Sequence, residues 1–433
     1  MSVAAATTPA DELGAVSPLR WVVLGMAAIA VFSSYYEEDA LGPIADLLIR
    51  HRHFSQFQIG DLTAVTSLPN IPLAVFNGLL IDRYGPVRVT LWAAILGFIG
   101  AVLTALGTPF ALMWVGRLVF GISEGTLFIS LVATLAQWFP RAGIALAMSI
   151  FLSLARVGSF SVDTSPTWAR ALYESGWQPP LWLGAGITGC GLLAALALYL
   201  VDRKQARLVP RLATERTLPE WSSIWSFDLS YWYILGLHVL YAAVFFPFRQ
   251  TFAIEYFQHV KGLTLQQAGN VNSGVFAAAV LATPLFGLLA DRFGHRALML
   301  TLGTLLLPLT FVVLGWTDFS PWVSTVLMGL SFALVPAIIW PATTFIVEPR
   351  RLGTALGVIT LLQNLALWSS NRTAGWLADA AGAGRDNPGG YAVMLWFFGI
   401  LSLTALTSVV LLWRRESGPE GHGLELARPT ARA

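Results

Sequence analysis

Two charged residues lie deep inside apolar stretches of the sequence and are the first candidates for chemistry. Glu124 is the only charged residue between Leu118 and Phe139, and Arg156 lies in the apolar stretch that follows Pro140. Each is sixteen positions from Pro140 (140 − 124 and 156 − 140), so on antiparallel helices both would lie about 24 Å from that turn. An isolated charge at the centre of a hydrocarbon layer costs about 2.5–3.5 kcal/mol. The two are therefore expected to form a structural ion pair, or to face a cavity in which a substrate or proton binds between them.

The elements that carry these residues are predicted to cross a lipid bilayer. The 433 residues are 56% hydrophobic and 12% charged, with a mean hydropathy of +0.66, whereas about a quarter of the residues of a soluble domain are charged. Apolar runs of about twenty residues, long enough to cross a bilayer, recur along the chain. The sequence predicts an all-α membrane protein with twelve transmembrane spans, at 19–45, 58–81, 88–107, 110–139, 142–165, 179–201, 228–257, 266–290, 296–316, 320–347, 353–379 and 391–413.

Motifs of other functional classes are missing from the sequence. It contains no P-loop, no glycine-rich dinucleotide turn after a strand, and no cluster with metal-ligand spacing. The net charge of +2 gives no indication of a nucleic-acid partner, and the sole cysteine, Cys190, cannot form an intramolecular disulfide. We therefore expect neither an enzyme nor a bound metal or cofactor.

An internal repeat predicts two pseudo-symmetric halves. GLLIDRYG from Gly78 recurs as GLLADRFG from Gly287, and Pro140 and Pro349 are separated by the same 209 positions. Such duplication is typical of secondary transporters. Arginine-rich turns fall on one side of the twelve spans, which predicts that both termini are cytoplasmic. The predicted segments are a tail at 1–18, a six-helix half at 19–201, a linker at 202–227, a six-helix half at 228–414 and a disordered tail at 415–433.

The repeated turn resembles the signature loop of the major facilitator superfamily, G-x-L-x-D-R-x-G. The resemblance implies that superfamily's fold of two six-helix halves, and it implies a gating role at the cytoplasmic side. The implied gating residues are Gly78, Asp82, Arg83, Gly85 and Arg88 in the first copy and Gly287, Asp291, Arg292 and Gly294 in the second. Arg117, Gly121 and Gly125 similarly resemble the R-x-x-x-G-x-x-x-G pattern of the superfamily's fourth helix.

Shorter stretches resemble the lysosomal dipeptide-uniporter branch of that superfamily. Examples are SSYYEEDALGPIADLL in span 1, GRLVFGISEG in span 4 and LARVGS in span 5. The resemblance implies that a glutamate of span 4 and an arginine of span 5 hold the two termini of a dipeptide. Arg156 matches that arginine. Glu124 lies one position before the place that the family's glutamate would take in this sequence. The stretch WFPRAGIALAM is also similar to the organic anion:cation symporter branch, which implies proton coupling at Glu124 instead.

Other polar and aromatic residues inside the spans are further candidates for substrate binding. Asp39 ends the apolar part of span 1 and is either a ligand or part of a solvated helix end. Arg249 follows the Pro247 break in span 7, and Arg249 and Arg372 either face a cavity or extend towards the membrane surface. His238 is either a proton carrier or a packing residue. The predicted binding residues are Glu124, Arg156, Tyr35, Tyr36, Asp39, Arg249, Trp340, Asn364, Trp368 and Arg372.

These patterns predict a secondary active or facilitative transporter that moves a small organic solute by alternating access. A dipeptide or amino-acid-like substrate is expected, and a proton-coupled organic anion or drug is the alternative. The duplicated loop argues against a channel, and the short tails argue against a transporter-like sensor. We expect a monomer, with protons as a further possible ligand, in a bacterial inner membrane, since arginine far outnumbers lysine.

Overall fold

The described part of the chain consists of helices joined by short turns. The computed structural model describes residues 18–139, 141–205 and 221–426, without the side chains of 75, 141, 142, 221–223, 291 and 349. These residues contain sixteen α-helices and no strand. The helices are α1 (Leu19–Glu38), α2 (Ala45–Arg52), α3 (Gln56–Ala64), α4 (Ser67–Tyr84), α5 (Pro86–Leu106), α6 (Phe110–Trp138), α7 (Arg141–Trp168), α8 (Arg170–Glu174), α9 (Gln178–Gln205), α10 (Leu229–Pro247), α11 (Ala253–His259), α12 (Leu265–Phe293), α13 (Arg296–Trp316), α14 (Pro321–Ile346), α15 (Leu352–Ala380) and α16 (Tyr391–Glu416).

The prediction of an all-α membrane protein is confirmed. Eleven segments of the described chain are long and apolar enough to cross a membrane, and the bent pair Gln56–Ala74 and Phe76–Tyr84 gives a twelfth if it is counted as one span. The predicted tail at 1–18 and the linker at 202–227 lie largely outside the described residues, as does the tail after Leu426.

The first predicted span is not one continuous helix. α1 ends at Glu38, a 3₁₀ turn covers Gly42–Ile44, and α2 then begins at Ala45. Pro43 favours this break because proline lacks the N–H of a continuing helix. Gly42 is needed because a Cβ there would lie 2.6 Å from the Gln250 carbonyl oxygen.

The seventh span contains a π-helical turn. α10 ends at Pro247, and Phe248–Phe252 form a π-helix before α11. Pro247 cannot donate to the Ala243 carbonyl one turn earlier, and the Ser370 hydroxyl donates to that oxygen instead. The break expected at Pro247 is therefore present.

Part of the chain forms a compact unit, called unit 1, from residues 18–40, 72–162 and 178–205. α5 and α6 pack closely in it because both present glycine. A Cβ at Gly100 would lie 2.6 Å from the Phe120 nitrogen, and one at Gly116 would lie 2.5 Å from the Thr104 nitrogen. Because glycine has no side chain, two helix backbones can approach each other at such positions.

The remaining described residues form unit 2, which includes two segments that we call the far-end segments, Leu41–Ile71 and Asp163–Trp177. Stacked and edge-to-face phenylalanines fill its core, with 5.2 Å between the ring centroids of Phe248 and Phe311 and 4.3 Å between those of Phe245 and Phe332. α3 packs against α15 through glycines, because a Cβ at Gly60 or Gly375 would collide with the facing backbone.

The predicted disorder of the C-terminal tail is wrong for the residues up to Leu426. Leu424 is buried, and its carbonyl accepts from the Arg296 amide. One Glu425 carboxylate oxygen accepts from the amides of Ala297 and Leu298, at 3.0 and 3.2 Å. A carboxylate at a helix N-terminus satisfies amides that have no partner within the helix. The tail therefore supplies the cap of α13.

Candidate functional site

Arg117 holds the end of α1 inside unit 1. Its fully buried guanidinium donates to the carbonyl oxygens of Glu37 and Glu38, at 2.9 and 2.8 Å, and lies 4.0 Å from the Glu37 carboxylate. The last carbonyls of a helix lack partners within the helix, and a cation at that end stabilises them. Arg117 therefore fixes the C-terminal end of α1, where Glu37 and Glu38 are the last two residues and Asp39 is the cap.

Glu37 is more deeply placed than the sequence indicated. Its side chain is buried, and no described residue donates to its Oε2 atom. A Cβ at Gly184 of α9 would lie 2.5 Å from that oxygen. Asp39, which was predicted to be either a ligand or part of a solvated helix end, is buried as well.

Tyr35 joins the two charged residues from which the sequence analysis began. The Arg156 guanidinium lies 5.3 Å from the centroid of the Tyr35 ring, a distance typical of a cation–π contact. The charges that act on the Tyr35 hydroxyl are those of Arg156, Glu38, Glu124 and Asp39. Glu124 and Arg156 are both half-buried; Arg156 contacts the Tyr35 ring, and Glu124 acts on the same tyrosine through its charge.

Acidic residues dominate the surroundings of Glu124. The charged groups that interact with its carboxylate include Glu38, Asp39 and Arg117. Since Arg117 is committed to the end of α1, the three carboxylates provide an environment that favours a bound cation or a proton. Tyr36, in contrast, is buried in an apolar cluster with Ala40 and Val162.

The two candidate arginines of unit 2 are both paired with acids of the far-end segments. Arg249 is fully buried, forms an ion pair with Asp163 and lies 4.1 Å from the centroid of the Phe276 ring. Arg372 is 2.8 Å from an Asp61 carboxylate oxygen and lies 4.9 Å from the Phe57 ring centroid. The sequence analysis did not single out Asp163 or Asp61, although both are acids within predicted spans.

The two aromatic candidates of unit 2 have different neighbours: Trp340 packs against a histidine–glutamine pair and Trp368 against an arginine. His238 Nε2 is 2.8 Å from Gln363 Oε1, and the Trp340 ring is 4.9 Å from the His238 ring. Trp368 lies 5.1 Å from the Arg372 guanidinium, and its buried indole nitrogen has no hydrogen-bond partner among the described residues. Asn364 donates to the Thr360 carbonyl of its own helix.

The repeated loops have the tight turns that their glycines predict. Gly85 and Gly294 have φ angles of 83° and 70°, which favour glycine. Asp82, Arg83, Arg88 and Arg292 are exposed, and the side chain of Asp291 lies outside the described residues. Close helix packing was also expected at Gly78 and Gly287. It is not found here, because a Cβ at either position would meet nothing within 4 Å.

Comparisons with known proteins agree with this architecture. The family model of the Major Facilitator Superfamily matches residues 27–367 and 235–431. A lysosomal dipeptide transporter, MFSD1 of Danio rerio, is 30% identical over 427 residues, which cover 95% of this chain and 90% of that protein. The probable sulfoacetate transporter SauU of Cupriavidus necator is 23% identical over 84% of this chain and 88% of its own.

A solved structure shares the fold. The crystal structure of a bacterial homolog to the human lysosomal transporter Spinster, described as inward-facing and unoccupied, has a TM-score of 0.70 and 17% sequence identity, and the likeness covers 95% of this chain and all of that one. With the family match over most of the helices, these findings show that the chain belongs to the major facilitator superfamily and is a membrane transporter of small solutes that works by alternating access.

Proposed function

We propose that this transporter carries small zwitterions of the dipeptide or amino-acid class, and that residues of unit 1 hold both ends of the solute. The observation that carries the proposal is the contact of the half-buried Arg156 with the Tyr35 ring, together with the charge of Glu124 that acts on the same tyrosine. Because arginine is always charged and presents a planar fork of donors, Arg156 suits a substrate carboxylate. Glu124, with Glu38 and Asp39 nearby, suits an ammonium group.

The membrane-protein relative named as a dipeptide transporter supports this choice of solute, since it matches nearly the whole chain. In unit 2 the same role extends to Trp340, Asn364 and Trp368, whose rings and amide are partly accessible. Arg249 and Arg372 belong to this proposal only if their ion pairs with Asp163 and Asp61 open during transport.

Orientation and surroundings complete the proposal. The arginines of the described turns, such as Arg83, Arg88 and Arg351, fall on the side predicted to be cytoplasmic, so both termini are placed there. We assign the protein to a bacterial inner membrane as a functional monomer, on the arginine-rich composition of its turns. The gating role of the repeated loops belongs to the same proposal.

A second candidate function is proton-coupled transport of an organic anion. The resemblance to a probable sulfoacetate transporter supports it. An anion would need Arg156 but no ammonium-binding acid. Glu124 would then carry the coupled proton, because three neighbouring carboxylates favour protonation of one of them.

Counterflow into liposomes that contain the purified protein separates the two candidates. A dipeptide, its C-terminal amide, its N-acetyl form and a sulfonate would each be offered to the parent protein and to Glu124→Gln. If the zwitterion proposal holds, both blocked peptides exchange poorly in the parent. Glu124→Gln then loses the exchange of the dipeptide and leaves the weak exchange of the N-acetyl form unchanged. If only the sulfonate exchanges, and its pH-driven accumulation is abolished in Glu124→Gln, the proposed solute would be the organic anion and not the dipeptide.

A further inference from the structure

A buried polar network lies in unit 2, apart from the candidate binding residues. It consists of Asp46 of α2, Gln56 of α3, Glu255 and His259 of α11, and Tyr391 of α16, and we call it the histidine network. All five residues are buried, with at most 8% of their surface exposed. The network therefore ties a far-end segment, through α2 and α3, to two helices of the second half of the chain.

The directions of the neighbouring hydrogen bonds determine which ring nitrogens of His259 must act as N–H donors. The Tyr391 hydroxyl donates its single proton to Glu255 Oε1, at 2.5 Å. His259 Nδ1 is 2.8 Å from the Tyr391 hydroxyl oxygen, which can then only accept from it. His259 Nε2 is 2.9 Å from Asp46 Oδ1, which as a carboxylate also only accepts.

Both ring nitrogens of His259 thus face acceptors. A neutral imidazole carries one N–H and can satisfy only one of them, whereas an imidazolium carries two and satisfies both. Gln56 does not change this count, because its amide nitrogen donates to both Glu255 and Tyr391. Both hydrogen bonds of the His259 ring are made only when the network holds one proton more than a neutral ring beside two carboxylates. Gln56 Oε1 and Glu255 Oε2 are buried and have no hydrogen-bond partner among the described residues.

Charged groups around the ring act in both directions. Asp46, Glu255 and Asp386 favour the imidazolium, and Glu255 Oε1 lies 3.4 Å from Nδ1. Burial opposes it, as do Arg50 and Arg385, both of which pair with Asp46. On the facing helix α15, Asp379 accepts from the amides of Gln56 and Phe57, at 2.8 Å each, and so holds the start of α3. Proton binding is therefore coupled to the packing that brings these carboxylates together.

We infer that His259 is a proton-binding site that holds the far-end segment Leu41–Ile71 against α11 and α16 while it is protonated, and releases it on deprotonation. Burial is the largest effect against the imidazolium, but only the packed arrangement offers an acceptor to each ring nitrogen, and only the imidazolium completes both hydrogen bonds. By linkage these two hydrogen bonds make acid favour packing and alkali favour release. This inference concerns the gate and does not depend on which solute is carried.

A cysteine in α3 would report the release of the far-end segment Leu41–Ile71. Thr63 of α3 is buried and its hydroxyl has no hydrogen-bond partner among the described residues, so Thr63→Cys is a mild change. The background would be Cys190→Ser, and a charged maleimide would be added without substrate. Each labelling rate would be divided by that of the denatured protein at the same pH, because thiolate formation alone accelerates the reaction.

The normalised rate is expected to rise about tenfold between about pH 5.5 and about pH 8.5, the range in which a histidine titrates. His259→Gln cannot hold the extra proton, so its rate should be high and independent of pH. His51→Gln, which removes an exposed histidine of α2, is the matched control and should keep the parent's pH dependence.

A parent rate that does not depend on pH would overturn the inference, as would a parent-like profile in His259→Gln. If His259→Gln does not fold, Asp46→Asn serves instead. Loss of this carboxylate weakens the hold on the proton, so the midpoint of release must move to lower pH. An unmoved midpoint in Asp46→Asn would equally reject the proton-binding role.

Discussion

At the scale of single residues, arginines inside the bundle are distinguished by what they contact. Arg117 donates to backbone carbonyls, and Arg249 pairs with a buried aspartate. Arg156 lies half-buried, with its guanidinium against the Tyr35 ring. This position on an aromatic face, close to the partly accessible Glu124, is why Arg156 is the arginine proposed to bind a substrate carboxylate.

Replacement of Arg156 by lysine tests this role. Arg156→Lys keeps the charge but loses the planar fork and its stacking on Tyr35, so it should raise the half-saturation concentration for dipeptides by about tenfold or more. Counterflow at varied substrate concentration measures it. The control is a C-terminally amidated peptide, whose weak exchange should be affected little. Equal affinity of the parent for the free and amidated peptides would argue against the carboxylate contact.

The sequence could predict which residues lie deep, but not what they contact. Counting from Pro140 identified Glu124 and Arg156 because the rise per residue of a helix is fixed. Asp163 and Asp61 were missed because their arginine partners are 86 and 311 positions away in the chain. Helical periodicity carries no information about pairs at such separations.

At the scale of elements, the ion pair of Asp163 in α7 with Arg249 in the π-helical turn joins a far-end segment to the second half of the chain. Both side chains are almost fully excluded from solvent. By comparison, Arg372 keeps about a third of its side chain exposed in its contact with Asp61. Burial makes the first pair costly to break and leaves the second pair weaker.

Arg249→Met should therefore destabilise the protein by about 3–5 kcal/mol, since it leaves Asp163 as an uncompensated buried charge. Arg372→Met is the matched control and should cost clearly less. Thermal unfolding in detergent, read as the shift relative to the parent, measures both. The double variant Arg249→Met with Asp163→Leu should recover most of the loss, and a double variant as unstable as the single one would contradict the assignment.

The spans themselves were predictable and their interruptions were less so. Runs of about twenty apolar residues are required by the thickness of a bilayer, so they are visible in composition alone. Pro247 predicted an interruption of the seventh span. The first span was predicted to run through 19–45, so the break at Gly42 and Pro43 was not expected. The docking of the tail through Glu425 has no local signature, because the cap of α13 comes from residues about 130 positions later.

At the scale of the whole molecule, the repeat at 209 positions was enough to predict the family and the two related loops. The conformations of Gly85 and Gly294 agree with the tight turns expected there. What the repeat could not tell is which loop contacts exist in a given state. In this structure the side chain of Asp82 is exposed, and its gating role stays a prediction.

Asp82→Asn should leave the stability of the described arrangement within about 0.5 kcal/mol of the parent, as is usual for an exposed site. The expected change is kinetic: loss of the charge should slow exchange between states, seen as slower counterflow and altered labelling of Thr63→Cys. Glu348→Gln, at an exposed acid in another turn, is the control. Unchanged transport together with unchanged labelling would remove Asp82 from the gate.

Gly78 and Gly287 face empty space in this structure, and this has a thermodynamic consequence. A glycine inside a helix costs about 0.5–1 kcal/mol relative to alanine, and no contact offsets that cost here. Each of the two repeat-related positions therefore lowers the free energy of unfolding, and a methyl group would fit at each without a clash in this arrangement. Alanine at both sites would raise the free energy of unfolding by about 1–2 kcal/mol and so give a more stable protein, which is a property sought in a sample for structure determination.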